Sequence, residues 1–523
     1  MKKIVIYSLI IAISGFFVVS CQKDFLDTTP TTKMSGDGMF STATGALVPL
    51  NGIYRLMYTQ GWSTTGNTQQ CDGLTAWNLM GDVMAEDMVM KAQGSGWYWY
   101  DCIYNVKSRY TSGSWRSYDL WNGYYTLIAN ANYIIAAQET MSGEQQDINY
   151  VIGQAYAIRA YCYHYLAMMF SRTYVGHESE PCVPIYTEPS VAGTEGKPRS
   201  TVAEVYAQIN DDINKAIELL KDAPTKQHPT HIDYYVANGI KARICLTTND
   251  WAGAEAASKI ALSNFSIGTG SQLTGGMNDA SSSNVMWGAV CIQDQLPGWG
   301  PFLYHMDALS MLPGTQNYAY NAPKCISIPL YNKMGANDIR RQWWQPDNNQ
   351  IIASDGTVMS SYIQVKFRFS DPTTGLGDKM WMRVEEMYLT EAEALCRQNK
   401  FPEAQQVLTT LMKTRDPNYT TTKTGNNLGA LTTDETGSLL EEILIQRRIE
   451  LWGEYGRIYD IKRLKQGFKR TTDMGWPTAA LIQGTNTQDP ETYAWVLTIP
   501  QAEFDGNVNM DPTKDQNPVG DTK

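Results

Sequence analysis

Two stretches 150 residues apart are versions of one another, and no other feature of the sequence restricts the fold as much. KARICLTTNDWAGAEAASKIAL lies over EAEALCRQNKFPEAQQVLTTLM, so that Ala242 falls on Ala392, Asn249 on Asn399, Trp251 on Phe401 and Ala254 on Ala404. This is the tetratricopeptide pattern, in which each unit is a pair of antiparallel helices. A small residue on the first helix lets the second approach closely, an aromatic just after the turn plugs the gap, and a second small residue completes the contact. Such a unit cannot bury its apolar face alone, so the pattern predicts a stack of pairs that grows in one dimension.

Apolar residues recur at three- and four-residue spacing from about 43 to 59, from 118 to 264 and from 380 to 468, as in VAEVYAQINDDINKAIELL and EEILIQRRIELW. The fold class is therefore mainly α, with about four helical pairs, the outer ones degenerate. Helices around Trp121–Ala137 and Ile148–Phe170, and a pair beginning at Val202, extend the stack. Two stretches break the period, about 60–114 and 265–379. The second is rich in Gly, Ser, Asn and Pro and contains short runs such as NVMWGAVCIQ and YIQVKFRF that read as strands.

The amino end, MKKIVIYSLIIAISGFFVVSC, has two lysines, an apolar run from Ile4 to Val19 and a small residue before Cys21. This is a secretory signal over residues 1–20. The small residue before the cysteine resembles a bacterial lipobox, which implies cleavage before Cys21 and acylation of its thiol; the other reading is an ordinary signal with an incidental cysteine. Several acyl chains together give a firm anchor, since each buried methylene adds about 0.8 kcal/mol. The remainder, 21–523, is read as a single domain tethered to a membrane without crossing it. A net charge of −11 argues against nucleic acid and anionic lipid as ligands.

The eight cysteines after Cys21 show no metal-ligand or redox spacing. Cys162, Cys245 and Cys396 fall in helical patterns and read as small core residues. Cys71, Cys102, Cys182, Cys291 and Cys325 lie in loop-like or strand-like surroundings where an exported protein could oxidise them, and their pairing stays open. His228 and His231 read as loop residues. No metal site or cofactor is implied, although structural calcium in an insertion loop remains open.

Several segments, in order, resemble the SusD/RagB family of surface glycan-binding lipoproteins. They are CQKDFLDTTP after the lipobox, WNGYYTLIANANYII with Trp121, Tyr125, Ile128 and Asn132, AYAIRAYCYHYLAMMF with Arg159, VPIYTEP, MRVEEMYLTEAEAL, QRRIELWGEYGRIYDIKRL with Arg447, Glu450, Glu454, Arg457, Asp460 and Arg463, and a close through Ile499-Pro500, Glu503 and Gln516-Asn517-Pro518. Small departures occur at Gln446, Gly456 and Val508. The resemblance implies a non-enzymatic lipoprotein of the outer membrane, facing the cell exterior. Such a protein captures an oligosaccharide or polysaccharide and hands it to a SusC-like TonB-dependent transporter. Some relatives look adapted to peptides, so a peptide or glycopeptide ligand is the alternative, and a glycoside hydrolase a more distant one.

A hydrolase would need two carboxyl groups facing one another across a sugar, one with a raised pKa. Glu450 and Glu454 stand one helical turn apart, but Arg447, Arg457 and Arg463 recur near them, and neighbouring cations lower a carboxyl pKa. The expectation is an ion-pair network; Glu385, Glu386, Glu391 and Glu393 are expected to be solvated or helix-packing. No catalytic residue is assigned. Sequence motifs for a serine hydrolase, a zinc protease or a phosphate-binding loop are absent.

Neutral sugars present apolar C–H faces edged by hydroxyls, so a receptor needs open aromatic rings beside short polar groups. GSGWYWYDCIYN crowds Trp97, Tyr98, Trp99, Tyr100 and Asp101 behind two glycines, in a region where the resembled family places ligand-contacting aromatics. If extended, it would put Trp97 and Trp99 on one side and Tyr98 and Tyr100 on the other; the competing reading is a buried strand edge. QLPGWGPFLYH offers Trp299, bracketed by glycines, with Tyr304. The expected ligand-binding residues are therefore Trp97, Trp99, Tyr100, Asp101, Trp299 and Tyr304. RRQWWQPDNN, with Trp343 and Trp344, ranks third, and Trp287 is expected in the core.

Overall fold

A computed structural model describes residues 36–60, 62, 66–105, 113–295, 302–310, 317–346, 353, 356–482 and 485–518. Besides short helices at Gly36–Phe40, Ser271–Thr274 and Ile328–Asn332, its helices are α1 (Ala43–Leu56), α2 (Leu74–Met84), α3 (Trp99–Cys102), α4 (Trp115–Ala136), α5 (Gln145–Phe170), α6 (Val202–Leu220), α7 (Tyr234–Thr248), α8 (Trp251–Leu262), α9 (Phe302–Met306), α10 (Tyr318–Asn321), α11 (Val384–Arg397), α12 (Phe401–Met412), α13 (Leu439–Glu450), α14 (Arg457–Leu464) and α15 (Gln501–Gly506). Short strands β1 (Met88–Met90), β2 (Val285–Ala289), β3 (Lys324–Ile326) and β4 (Lys379–Arg383) form two antiparallel pairs, β1 with β3 and β2 with β4. The fold is mainly helical, as the periodicity predicts. Among the described residues no helix is long and apolar enough to cross a membrane.

The helices pack in a row, α4 on α5, α5 on α6, α6 on α7, α7 on α8, α8 on α11, and α11 on both α12 and α13. The row jumps from α8 to α11 across the insertion, which places the two related sequence stretches side by side. Their turns are built alike. Asn249 and Asn399 both adopt left-handed backbone, φ 58° and 61°. The amides of Asp250 and Lys400, one position later, donate to Cys245 and Leu395 at 2.9 and 3.0 Å. Asparagine tolerates this conformation better than most residues because its short polar side chain bonds locally. Ala242, Ala392, Ala254 and Ala404 are all fully buried, as close helix approach requires.

Local signals set the helix ends. Thr201 caps α6 and Glu204 bonds back to it, a reciprocal capping box. Asp233, Asp250 and Ser438 cap α7, α8 and α13 by accepting from amides in the first turn.

Two expectations need correction. YIQVKFRF is not a strand: Tyr362 turns left-handed at φ 64°, and the segment makes only isolated bridges at Ile363 and Gln364. Lys366 from this run is buried, with its ammonium donating to the carbonyls of Glu450 and Trp452. The NVMWGAVCIQ run does contain a strand, β2, which pairs with β4 immediately before α11. All eight described cysteines are buried and unpaired, including the five read as open to oxidation. Cys71, for instance, donates its S–H to Asp119 at 2.6 Å.

Candidate functional site

The β1–β3 ladder, with Met88 opposite Ile326 and Met90 opposite Lys324, ties together the two long irregular regions of the sequence. From its end the chain runs through Gly94 at φ 53° and Gly96 at φ 91° into α3. A side chain on Gly94 would meet the Cβ of Ala322 at 3.0 Å and the carbonyl of Asn321 at 3.2 Å, so glycine lets this loop lie directly on α10. The contact brings Trp97 against Tyr318, edge to face, with centroids 5.8 Å apart.

The segment is helical where alternation would have made it extended. Tyr98 takes left-handed backbone at φ 62° and α3 begins at Trp99, so the side chains turn by a helical period. Trp97 is half-buried and Tyr100 is 41% exposed. Trp99 is only 5% exposed and belongs to the core, which removes it as an open platform. Asp101 is fully buried, where its carboxylate accepts from Arg116 at 2.6 and 3.1 Å. Arg116 also donates to the carbonyl of Gln70, and its guanidinium lies 4.2 Å from the Trp115 ring centre and 5.4 Å from that of Tyr98. Asp101 thus holds the floor beneath the aromatic loop and does not face a ligand.

Tyr304 also points inward. It is 5% exposed in α9 and meets Phe369 edge to face, because Gly375 leaves room for its hydroxyl end. Trp299 lies outside the described residues. Trp343 and Trp344 are buried at right angles to one another, and Trp344 packs on Trp452, so the third expected cluster is core. Trp287 is core as expected.

Sequence reasoning missed Tyr318 and Tyr320. Both are half-buried on α10, capped by Asn317, and the Tyr320 hydroxyl donates to Thr357 at 2.8 Å. The alternating tyrosines of NYAYN were the available signal. Behind them, His305 stacks on Tyr318 at 5.0 Å and meets Tyr98 edge to face. Its Nε2 donates to the Gln69 carbonyl, so the proton sits on Nε2. Burial holds this imidazole down to about 3, neutral at any ordinary pH. The resulting surface is a seam where Trp97 meets Tyr318, with Tyr100 exposed three residues after the first ring and Tyr320 partly exposed two residues after the second, and with the Asp101–Arg116 pair buried beside it.

The acidic residues of α11 and α13 form the expected network, with different partners. Glu450 is fully buried against Arg415, Arg383 and Arg340, at 2.8, 3.2 and 3.3 Å. Glu454 pairs with Arg383 at 2.7 Å and with Lys366. These cations hold both carboxyls below the usual range despite burial, Glu450 far below. Arg447, Arg457 and Arg463 serve other carboxylates: Asp460, Glu86 and Glu393 respectively. Glu385, Glu386, Glu391 and Glu393 are all buried, and Glu386 pairs with Arg243 at 2.7 Å. None of the four is solvated.

Two family profiles match the chain: a SusD-like family described as "Starch-binding associating with outer membrane" over residues 65–246, and the SusD family over 307–519. No curated protein matches by sequence. Among solved structures, a SusD-like carbohydrate binding protein from Bacteroides vulgatus is 25% identical, with 90% of this chain and 97% of that one covered and a TM-score of 0.72. A SusD superfamily protein from Bacteroides thetaiotaomicron is 22% identical over 91% and 100% of the two chains, TM-score 0.70. Surface glycan-binding protein A from the same species, in complex with laminarihexaose, is 16% identical over 91% and 99%, TM-score 0.65. The last two likenesses speak for the fold alone. With SusD-like and SusD profiles over 65–246 and 307–519 and the same fold over nine-tenths of its length, this chain belongs to the SusD/RagB family.

Proposed function

We propose that this protein binds neutral oligosaccharide or polysaccharide at the cell surface. In this reading it is acylated at Cys21, anchored in the outer membrane on the side facing the exterior, and delivers its ligand to a SusC-like TonB-dependent transporter. The observation that carries the proposal is the ring seam. Trp97, Tyr100, Tyr318 and Tyr320 are neither core nor fully solvated, and half-exposed aromatic faces beside hydroxyls suit the C–H faces of sugars. The family's starch-binding description and the laminarihexaose complex of one relative support the same ligand class. Lipid attachment and the transporter partner rest on the sequence resemblance; Cys21 lies outside the described residues.

The protein does no chemistry on its ligand in this reading. A glycosidase holds an acid with a raised pKa across an accessible sugar from a second carboxyl. Of the pair that sequence spacing brings forward, Glu450 is fully buried and the Glu454 side chain nearly so, and neighbouring cations hold both carboxyls below the usual range.

A glycan array run beside a peptide library tests the ligand class. Retention on glycans, weakened by Trp97→Ala and Tyr100→Ala, is the expected result. Retention on peptides with none on glycans would replace the sugar by a peptide.

A further inference from the structure

A second surface of α4 has the makings of a saccharide site. Tyr118, Asn122 and Tyr125 are spaced four and three residues apart and share one face of the helix. With Trp121, Tyr186 and Glu503 they line a groove of about 360 Å³ between α4, the 184–190 segment and α15. That volume falls at the small end of the range for small-molecule sites, about 300–1,000 Å³.

The walls of this groove are fixed from behind. The Tyr125 hydroxyl donates to the Pro184 carbonyl at 2.7 Å, and the Tyr163 hydroxyl to that of Tyr186 at 2.9 Å. Asn132 donates to the carbonyls of Tyr186 and Glu188, both at 3.1 Å, and is itself held by Arg159 at 2.8 Å. The segment carrying Tyr186 is therefore bound to the helical body before any ligand arrives. Glu503 accepts from the Trp121 indole at 3.0 Å and from Asn507 at 2.7 Å, one bond to each carboxylate oxygen, which leaves further lone pairs. The Asn122 amide and the Tyr118 hydroxyl have no hydrogen-bonding partner among the described residues. Fixed aromatic walls, a free amide, a free hydroxyl and a carboxylate acceptor match sugar hydroxyls and C–H faces. The carboxylate disfavours an anionic ligand.

The first turn of the same helix reaches the buried pair behind the ring seam. Trp115, half-buried and one turn before Tyr118, carries the guanidinium of Arg116, which is bonded to Asp101, the neighbour of Tyr100. From Trp115 to Tyr125 the helix rises about 15 Å, at 1.5 Å per residue. We infer that the outer face of α4 is a second saccharide subsite, continuous with the ring seam, which takes a further part of one neutral glycan chain. This rests on the glycan reading above and adds to it that long chains, not short ends, are the preferred ligand.

The test uses the full soluble chain and calorimetry with laminari-, cello-, malto-, xylo- and manno-oligosaccharides, each as a trisaccharide and as a much longer chain. On the linkage that binds, Tyr118→Ala and Asn122→Ala should each weaken the long ligand about tenfold, within the range for losing one stacked or bonded contact, and leave the trisaccharide unchanged. Hydrogen exchange of the unmutated protein gives a second reading: the 184–190 segment should be protected by the long ligand and not by the trisaccharide. Unchanged affinity in both variants together with unchanged exchange would overturn the subsite while leaving the glycan reading intact. No binding of any oligosaccharide by the unmutated chain would overturn both.

Discussion

The indole of Trp97 meets the ring of Tyr318 edge to face, 5.8 Å between centroids and 68° between planes, although 221 positions separate them in the chain. Neither ring reaches the other without the β1–β3 ladder and the close passage of Gly94 over α10. Replacing Tyr318 with alanine should weaken glycan binding in two ways, by removing a ring from the seam and by releasing Trp97. A loss of about 1–3 kcal/mol is expected, the range measured for bases stacked on aromatic side chains. Titration calorimetry with the bound oligosaccharide reads this directly, and Tyr304→Phe, a buried control, should bind as the unmutated chain does.

Glu450 predicts a different phenotype. It is fully buried among three arginines, so Glu450→Gln removes one carboxylate charge from their interior network and leaves it with an excess of positive charge, although Asp338, Glu385 and Glu454 still pair with them. Removing one partner from such a network costs about 3–5 kcal/mol. Denaturant unfolding should show that loss, while glycan affinity per folded molecule stays unchanged.

Two buried groups predict opposite pH slopes. Lys324 is fully buried with no hydrogen-bonding partner for its ammonium among the described residues, and burial lowers it to about 7 from an ordinary 10.5. The unfolded chain then binds more protons between those values, so Lys324 costs stability that returns as pH rises from about 7 to 10.5. Lys324→Met should raise the melting temperature most at and below pH 7, with the gain fading toward pH 10.5.

Asp82 has the reverse sign. Burial raises it to about 8 from 3.8, even though Oδ1 accepts from the Arg457 amide at 2.9 Å. Here the folded chain holds the extra proton, and the cost grows as pH rises from 3.8 to about 8. Asp82→Asn should therefore stabilise at pH 8 and change little near pH 4, as thermal melts across that range will show.

The paired turns make a fifth prediction. Asn249 and Asn399 occupy left-handed backbone at matching positions. Replacement by alanine should cost about 1–2 kcal/mol at each, the steric penalty of that conformation for a residue with a Cβ and no local hydrogen bond, whereas glycine should be tolerated. Urea unfolding of the four single variants checks this.

The helical row was legible because its signal is local and repeated: small residues at Ala242 and Ala392, asparagines at the turns and aromatics just beyond them. The site was legible only in part. The aromatic crowd at 97–101 includes two rings left partly open, Trp97 and Tyr100, but a single left-handed residue, Tyr98, starts a helical turn and sends Trp99 and Asp101 inward, which no period-two pattern reveals. Asp101 faces inward because Arg116, fifteen positions on, is buried beneath it. Tyr318 and Tyr320 gain their place through a strand pairing between distant segments. The cations around Glu450 come from three separate stretches, at Arg340, Arg383 and Arg415, so the nearby Arg447 and Arg457 were the wrong partners to expect.

The central claim is that an open ring seam holds glycan without cutting it. Native gels cast with plant, host and microbial polysaccharides, run with the unmutated chain and a Trp97→Ala/Tyr100→Ala variant, test it most directly when the polysaccharide is afterwards assayed for reducing ends. Retardation of the unmutated chain by at least one polysaccharide, lost in the variant, is expected, with no reducing ends released. Equal retardation of both proteins, or new reducing ends in the gel, would contradict it.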